Sequence, residues 1–543
     1  MYIIGISCFY HDSSICLFKD GELVFACEEE RFTGKKHDSS FPRNGLNYIL
    51  DTYNITSDQI EKVCFYEDPN LKLQRVLRNY VTNPIKSFTL TKDSLIDLHK
   101  NSKTLKKEFG DNIFTQPHHY SHIFYAYYTS QFKNAVVLSV DGVGETDTAV
   151  VAIVRNGKFT FEPLMKYPNS LGLFYSAMTS FLGFKPNNGE YKLMGLAGFG
   201  NPAKYYDKVK KLNMNHFIWN TSNKVMFNEK LSQELGIPNR LPEEEILQVH
   251  KDIAAAAQFV YEDELFSALN SIAQKTNIRN LCLGGGCAYN GVANGKIKQF
   301  TPFKELWVPP APSDAGSSVG AVLGYLHQSG RLITGVKENP FLGPEYNDED
   351  IISQIPEEKL KRVSDKKLYE IVSEHLSNGK IIGWFRGSSE FGARALGHRS
   401  ILANPFIDGT RDKVNSVIKK REGFRPFAPM VRWDVQSTYF EETDYIPYMN
   451  QVVNVKNEYK DLLKEVSNVD GTARIQSVKK TENLPIHKLL TTFSKATGNP
   501  PIVLNTSFNI RGQTMVLTPR MAYDTFINND IDVLVLNNFI ITK

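Results

Sequence analysis

His118 and His122 lie four residues apart, so on a helix both imidazoles share one face, one turn from each other. Two histidines so placed, joined by a carboxylate from elsewhere, commonly hold a divalent metal. Asp141 is a suitable carboxylate. It closes Ala135-Val136-Val137-Leu138-Ser139-Val140, which reads as a buried strand. Asp314 ends the proline-stiffened run Val308-Pro309-Pro310-Ala311-Pro312-Ser313 and opens a small-residue helix. It could cap that helix or supply a fourth ligand. The alternative for the whole group is a helix with surface histidines beside an ordinary strand-end aspartate. The zinc-protease motif is not matched, because its general-base glutamate would occupy position 119, which is His.

The elements that must carry these residues follow a repeating pattern. Residues 2–8 read as a strand, 9–14 as a polar loop and 14–18 as a second strand, with Asp20-Gly21 turning into a third. The same order recurs from Ala135. A strand leads to the loop Asp141-Gly142-Val143-Gly144-Glu145, a second strand follows, and Asn156-Gly157 turns into a third. Polar loops inside hairpins expose backbone N–H groups that can hold phosphate. Two copies predict a duplicated α/β domain with nucleotide between its halves; two coincidental hairpins are the alternative. Residues 43–130 read as mostly helical, and helical pattern resumes over 253–274. Then comes Leu281-Cys282-Leu283-Gly284-Gly285-Gly286-Cys287-Ala288-Tyr289-Asn290: strand, glycine turn, helix, suited to close approach by an anion. Asn290 and Asn294 are expected on one helical face near that ligand.

With 543 residues the chain should hold more than one domain. Lys plus Arg number 63 and Asp plus Glu 59, a balance that does not point to nucleic acid as the main partner. No apolar run reaches the roughly 18 residues that span a bilayer. The first residues lack signal-peptide features, so a cytoplasmic location is expected. The six cysteines include no Cys-x-x-Cys pair and are expected to be reduced. A solvated stretch over 331–365 places the domain boundary, giving domains 1–345 and 346–543.

The second domain is rich in arginines set among Gly, Ala, Phe and Pro. Examples are Gly392-Ala393-Arg394-Ala395-Leu396, Arg421-Glu422-Gly423-Phe424-Arg425-Pro426 and Ala473-Arg474-Ile475. Guanidinium groups in such settings need anionic or carbonyl partners, and their planar fork suits phosphate or carboxylate. Asn505-Thr506-Ser507 adds N–H and O–H donors. Arg394, Arg425 and Arg474 are expected to bind ligand. Arg386, Arg399 and Arg421 are expected to be structural, with Glu390 and Glu422 as partners.

Over nearly its whole length the chain resembles the O-carbamoyltransferases of nodulation and antibiotic biosynthesis. The resemblance rests on His11-Asp12-Ser13-Ser14, Glu29-Glu30-Arg31-Phe32-Thr33, His118-His119-x-x-His122, Val140-Asp141-Gly142, and Tyr191-Lys192-Leu193-Met194-Gly195. It rests also on the triple glycine, Arg394-Ala395-Leu396-Gly397, residues 421–429 and Asn505-Thr506-Ser507-Phe508-Asn509. It implies an α/β fold: a duplicated actin-like ATPase domain of the tRNA threonylcarbamoyl-transfer type (Kae1-like), then a YrdC-like α/β domain. It implies that carbamoyl phosphate and ATP form carbamoyl-AMP in the second domain. The carbamoyl group then passes to a hydroxyl of a small-molecule natural product in the first. His118, His122, Asp141 and Asp314 would hold Fe2+ or another divalent metal, and Mg2+ would accompany ATP. Asp141, Gly286 and Asn290 would contact the carbamoyl adenylate. Arg394, Arg425, Arg474, Asn505 and Ser507 would line the ATP and carbamoyl-phosphate pocket. Asp12 and Gly172 would face the acceptor, with Asp12 or His11 as its base. A homodimer is implied as well.

The chain departs from the family pattern at Ala393, Gly34 and Gly512-Gln513-Thr514, none of which removes a proposed ligand. A metabolite kinase of the actin-like class would explain the two phosphate loops but not the paired histidines or the arginine-rich domain. A metal- and nucleotide-binding module without turnover is the non-enzymatic alternative.

Overall fold

The computed structural model describes residues 1–543 except 83, 213–225, 332, 334, 335, 337, 338, 422 and 424. The chain forms two compact units. The first comprises Met1–Ala26, Ser39–Asn290 and Lys296–Glu338; the second comprises Cys27–Asp38, Gly291–Gly295 and Asn339–Lys543. The main division falls a few residues before the boundary expected from sequence. Two short early segments group with the later residues.

The first unit is built on two five-stranded sheets. Strands β1 (Tyr2–Ser7), β2 (Ser14–Lys19), β3 (Glu22–Glu28), β4 (Ile60–Phe65) and β5 (Ile113–Thr115) lie in the order β3-β2-β1-β4-β5. Strands β6 (Asn134–Val140), β7 (Asp147–Arg155), β8 (Lys158–Lys166), β9 (Asn280–Gly284) and β10 (Glu305–Trp307) lie in the order β8-β7-β6-β9-β10. In each sheet the first strand pairs antiparallel with the second and parallel with the fourth, and the fourth pairs parallel with the fifth. The duplication read from the hairpins is therefore a duplication of whole sheets, the actin-like arrangement. Both hairpin turns have positive φ at their two central residues, 52° and 86° at Asp20-Gly21 and 50° and 76° at Asn156-Gly157. That conformation matches the twist of the flanking strands.

Residues 43–130 are not continuously helical, because β4 and β5 run through them. These strands are short beside helices of 11, 14 and 26 residues, so the 3.6-residue period dominates the pattern.

Helix His118–Tyr128 follows β5, and helix Asp314–Gln328 follows β10, so they are equivalent elements of the two halves. They pack on one another through Gly316, Gly320 and Gly324, spaced one turn apart. A β-carbon at Gly320 would overlap the Ser121 carbonyl, and one at Gly316 would overlap the Tyr125 ring. On its other side the Asp314–Gln328 helix presses on β1, where a β-carbon at Gly5 would overlap the Ser318 carbonyl.

The second unit has an eight-stranded mixed sheet. Its strands are β11 (Lys361–Arg362), β12 (Ile382–Phe385), β13 (Arg399–Ala403), β14 (Ala428–Arg432), β17 (Gln476–Val478), β18 (Ile502–Ser507), β19 (Val533–Leu536) and β20 (Phe539–Thr542). The order is β11-β20-β19-β12-β13-β18-β14-β17. A separate pair is formed by β15 (Val453–Asn454) and β16 (Thr472–Ala473). Helices Asp365–Ser377 and Leu484–Thr497 bury Leu368, Val372, Ile486 and Phe493 against Trp384, Leu402 and Val535. A second apolar layer gathers Phe385, Ile401, Phe440, Leu504 and Phe526. Among the described residues no helix is long and apolar enough to cross a membrane.

Because Gly320 sets the spacing of the two helices, Gly320→Ala is expected to lower the stability of the first unit by about 1–3 kcal/mol. Gly195→Ala, where an added β-carbon meets nothing within 4 Å, should leave stability unchanged or raise it. Urea-unfolding midpoints of the two variants check the contrast.

Candidate functional site

The histidine helix starts without a side chain from its N-cap position, which is Pro117. Glu145, from the loop after β6, takes over. Its Oε1 accepts the N–H of His118 at 2.8 Å and that of Asp68 at 2.8 Å. The loop bearing Asp141 is thereby tied to the helix bearing the histidines. All three histidines at 118, 119 and 122 are buried, so the surface-helix alternative fails.

His118, His122, Asp141 and Asp314 converge. The two Nε2 atoms are 3.1 Å apart. Asp141 Oδ2 lies 3.5 Å from His118 Nε2 and 3.1 Å from His122 Nε2. Asp314 Oδ1 lies 3.7 Å and 3.5 Å from the same two nitrogens. Ligand bonds of about 2.1 Å in a tetrahedral site place neighbouring donor atoms about 3.4 Å apart, so these separations fit a divalent ion. The donor set, two imidazoles and two carboxylates, suits iron(II), zinc or manganese. Asp314 is the first residue of its helix, with Ser313 in the cap position, so capping does not account for it.

The surrounding hydrogen bonds orient these donors. Asp141 Oδ1 accepts the Gly142 N–H at 2.7 Å, and Oδ2 accepts the Gly286 N–H at 3.2 Å. Ser317 Oγ sits 3.0 Å from His122 Nδ1, which holds that ring with Nε2 turned to the cluster. His119 is no ligand: its Nε2 donates to the Asp147 carbonyl at 2.9 Å, and Nδ1 accepts from Ser139 Oγ at 2.7 Å. Burial pushes His119 down to about 3, so it is a neutral brace. Burial also raises Asp141, but hydrogen bonds from both histidines outweigh it and hold the carboxyl well below its usual range. Burial lowers His122, and the Asp141 and Asp314 carboxylates reverse this, carrying it up to about 9.

Around this cluster lie the other residues expected from sequence. His11 Nδ1 pairs with Asp12 Oδ2 at 3.1 Å, and His11 Nε2 is 3.8 Å from Asp314 Oδ2. Burial lowers His11, and the Asp314 and Asp12 carboxylates overcome it, lifting it to about 10. Asp12 has a φ of 49° and Phe9 one of 77°, so their loop holds an uncommon conformation. Gly172 is buried beneath the site, where a β-carbon would stand 2.6 Å from the Asp141 carbonyl oxygen. Asn290 forms a reciprocal amide pair with Gln258, both bonds 3.1 Å. Gln258 also accepts from Tyr175 at 2.7 Å and donates to Glu262 at 2.8 Å. Asn294 does not share a helical face with Asn290: Asn290 precedes the helix Gly291–Phe300, and Asn294 donates to the Asn450 carbonyl in the second unit.

In the second unit cations crowd together. Burial lowers Arg474 well below its usual value, and the charges of Arg394 and Arg421 lower it further. Its Nε is buried with no hydrogen-bond partner among the described residues. Burial likewise lowers Lys419, reinforced by Arg421, Lys36 and Arg425. Lys419, not singled out from sequence, has its Nζ 2.6 Å from the Ser507 carbonyl and 2.7 Å from Asn509 Oδ1. Its signal lay in Lys419-Lys420-Arg421, which reads equally as surface charge. Asn505 braces the Arg394 loop, donating to the Ala395 carbonyl at 2.9 Å and to Gln476 at 2.8 Å.

Among the described residues Glu390 hydrogen-bonds to no guanidinium group. Its Oε1 accepts the N–H groups of Leu396, His398 and Arg399 at 2.8, 2.9 and 3.1 Å. Glu422 lies outside the described residues. Arg386 pairs with Asp365 at 3.1 Å, and Arg399, fully buried, donates to the carbonyls of Arg386, Gly387, His398 and Pro344. Arg421 is anchored to Asn415 at 2.7 Å, yet its charge joins the crowded group.

Residues 2–323 match the family model described as Carbamoyltransferase N-terminus, and residues 373–543 match Carbamoyltransferase C-terminus. An uncharacterized protein of Synechocystis is 37% identical over 100% of this chain and 97% of its own length. The nodulation protein NolNO of Sinorhizobium fredii is 32% identical over 98% of this chain and 79% of its own. The 3'-hydroxymethylcephem-O-carbamoyltransferase of Streptomyces clavuligerus is 25% identical over 93% of this chain and 92% of its own.

Because His122 is raised to about 9 without metal, an incoming ion must displace its proton. Metal affinity should therefore rise about tenfold per pH unit from pH 6 and level off above pH 9. Calorimetric titration with iron(II) or manganese(II) checks this, and an affinity flat with pH would show that metal entry displaces no proton from His122.

Proposed function

This chain belongs to the carbamoyltransferase family, and from that premise we propose that it is an ATP-dependent O-carbamoyltransferase working in two steps at two sites. In the second unit carbamoyl phosphate, ATP and water yield carbamoyl-AMP, phosphate and pyrophosphate. In the first unit the carbamoyl group passes to a hydroxyl of a small-molecule natural product, releasing AMP and a proton. The observation that carries this reading is the gathering of partly buried arginines around Arg474, with the charges of Arg394 and Arg421 acting on it and the buried Lys419 facing Arg421 and Arg425. Burying like charges together is costly unless an anion joins them.

Arg394, Arg421, Arg425, Arg474 and Lys419 neutralise the phosphates of ATP and carbamoyl phosphate and the charge that develops during transfer. Mg2+ accompanies ATP. Ser507 and Asn505 shape the pocket floor, Ser507 through Lys419 and Asn505 through the Ala395 carbonyl.

The second step belongs to the buried cluster. His118, His122, Asp141 and Asp314 hold a divalent ion, iron(II) foremost, which when bound supplies Lewis acidity toward the carbamoyl oxygen or the AMP phosphate. Gly286 sits close to Asp141, so its backbone can approach the adenylate. Asp12 faces the acceptor and takes up the hydroxyl proton, held in place by its pairing with His11.

His118→Ala should keep carbamoyl-phosphate-dependent ATP–pyrophosphate exchange and lose transfer. Arg474→Ala should lower exchange on the order of 10²-fold. Exchange kinetics alongside product analysis check both. Absence of exchange in the unmodified protein would sink the two-step scheme.

A further inference from the structure

The segment Cys27–Asp38, which carries Glu29-Glu30-Arg31-Phe32-Thr33, groups with the second unit although it lies more than 300 residues before it in sequence. Glu28 Oε1 accepts the N–H of Gly392 at 2.7 Å, and Arg31 Nη2 donates to the carbonyl of the same residue at 2.8 Å. Both backbone groups of one glycine are thus held by two side chains, each about 5% exposed. Gly392 has a φ of 114°, which favours glycine, and Arg394 follows two residues later.

The rest of this loop is held from within the second unit's later sequence. Glu390 takes the N–H groups of Leu396, His398 and Arg399. Asn505 takes the Ala395 carbonyl, while Gln476 and Asn483 take that of Leu396. The side chains that grip Gly392 instead come from the early segment.

The grip is an expensive way to fill space. Arg31 Nε lies 3.5 Å from Glu28 Oε2, and neither atom has a hydrogen-bond partner among the described residues. Replacing such a buried pair with apolar residues is often neutral or stabilising, so packing alone does not account for it. A guanidinium and a carboxylate that together fix the two peptide groups flanking Gly392 do account for it.

We propose that Glu28 and Arg31 are positioning residues for carbamoyl-adenylate formation: by holding both backbone groups of Gly392 they aim Arg394 at the anionic substrates. This rests on the adenylate-forming role assigned above to the second unit. It gives Arg31 of the Glu-Glu-Arg-Phe-Thr motif a task in the second unit's chemistry. The early segment completes a pocket that residues 339–543 do not build alone.

The test is a double-mutant cycle in the full-length protein, read by carbamoyl-phosphate-dependent ATP–pyrophosphate exchange, with metal affinity as a second readout. Arg31→Ala should raise the KM for carbamoyl phosphate or ATP about tenfold and leave metal affinity within about twofold. Added to Arg394→Ala, it should cost little more, because its effect runs through Arg394. Amide hydrogen exchange over residues 391–395 should quicken in Arg31→Ala. An unchanged KM, or a full additional loss on top of Arg394→Ala, would overturn the proposal. Should Arg31→Ala not fold, Arg31→Lys takes its place in the cycle, judged on the same additivity. Absence of exchange in the unmodified protein counts against the two-step reading itself; normal exchange with an unaffected Arg31→Ala counts against this positioning role alone.

Discussion

The first unit depends on one close approach, that of the His118–Tyr128 helix to the Asp314–Gln328 helix. Gly320 permits it, because any side chain there would meet the Ser121 carbonyl. The contact joins equivalent helices of the two halves, so the duplication does more than repeat a sheet. One half supplies the imidazoles. The other supplies Asp314 at its helix start and Asp141 at the end of β6. A shift of a few tenths of an ångström between the helices would spoil separations of 3.1 to 3.7 Å that suit one ion. Glu145 adds a second tie, locking the Asp141 loop to the histidine helix.

The second unit works by the opposite electrostatic logic. In the cluster of His118, His122, Asp141 and Asp314, carboxylates and imidazoles compensate one another, and Asp141 is held ionised despite burial. Around Arg474 burial and neighbouring cations push the same way. A site with compensated charge suits a cation that stays; a site with crowded positive charge suits anions that arrive and leave. This contrast agrees with one unit making an activated carbamoyl group and the other using it.

Much of this was legible from the residues in order. The His118–His122 pair, Asp141 and both hairpin turns follow from local periodicity and turn chemistry, which depend on near neighbours only. What escaped depends on distant ones. Strands β4 and β5 were hidden among longer helices. Glu390 looked like an arginine partner, but the fold gives it three backbone N–H groups instead. Asn294 shares the spacing of Asn290 but turns to Asn450, 156 residues away. Lys419 was not singled out because nothing local shows that Ser507 and Asn509 surround it. The grip on Gly392 spans 361 residues from Arg31, beyond the reach of any spacing argument.

The central claim is that the carbamoyl group passes through an adenylate. Single-turnover quenching with carbamoyl phosphate and ATP labelled in the α-phosphate, with no acceptor present, tests it most directly. The account predicts labelled carbamoyl adenylate on the enzyme, formed only when carbamoyl phosphate is supplied. O-carbamoylation of an acceptor without ATP, and with no labelled adenylate at any time, would contradict it.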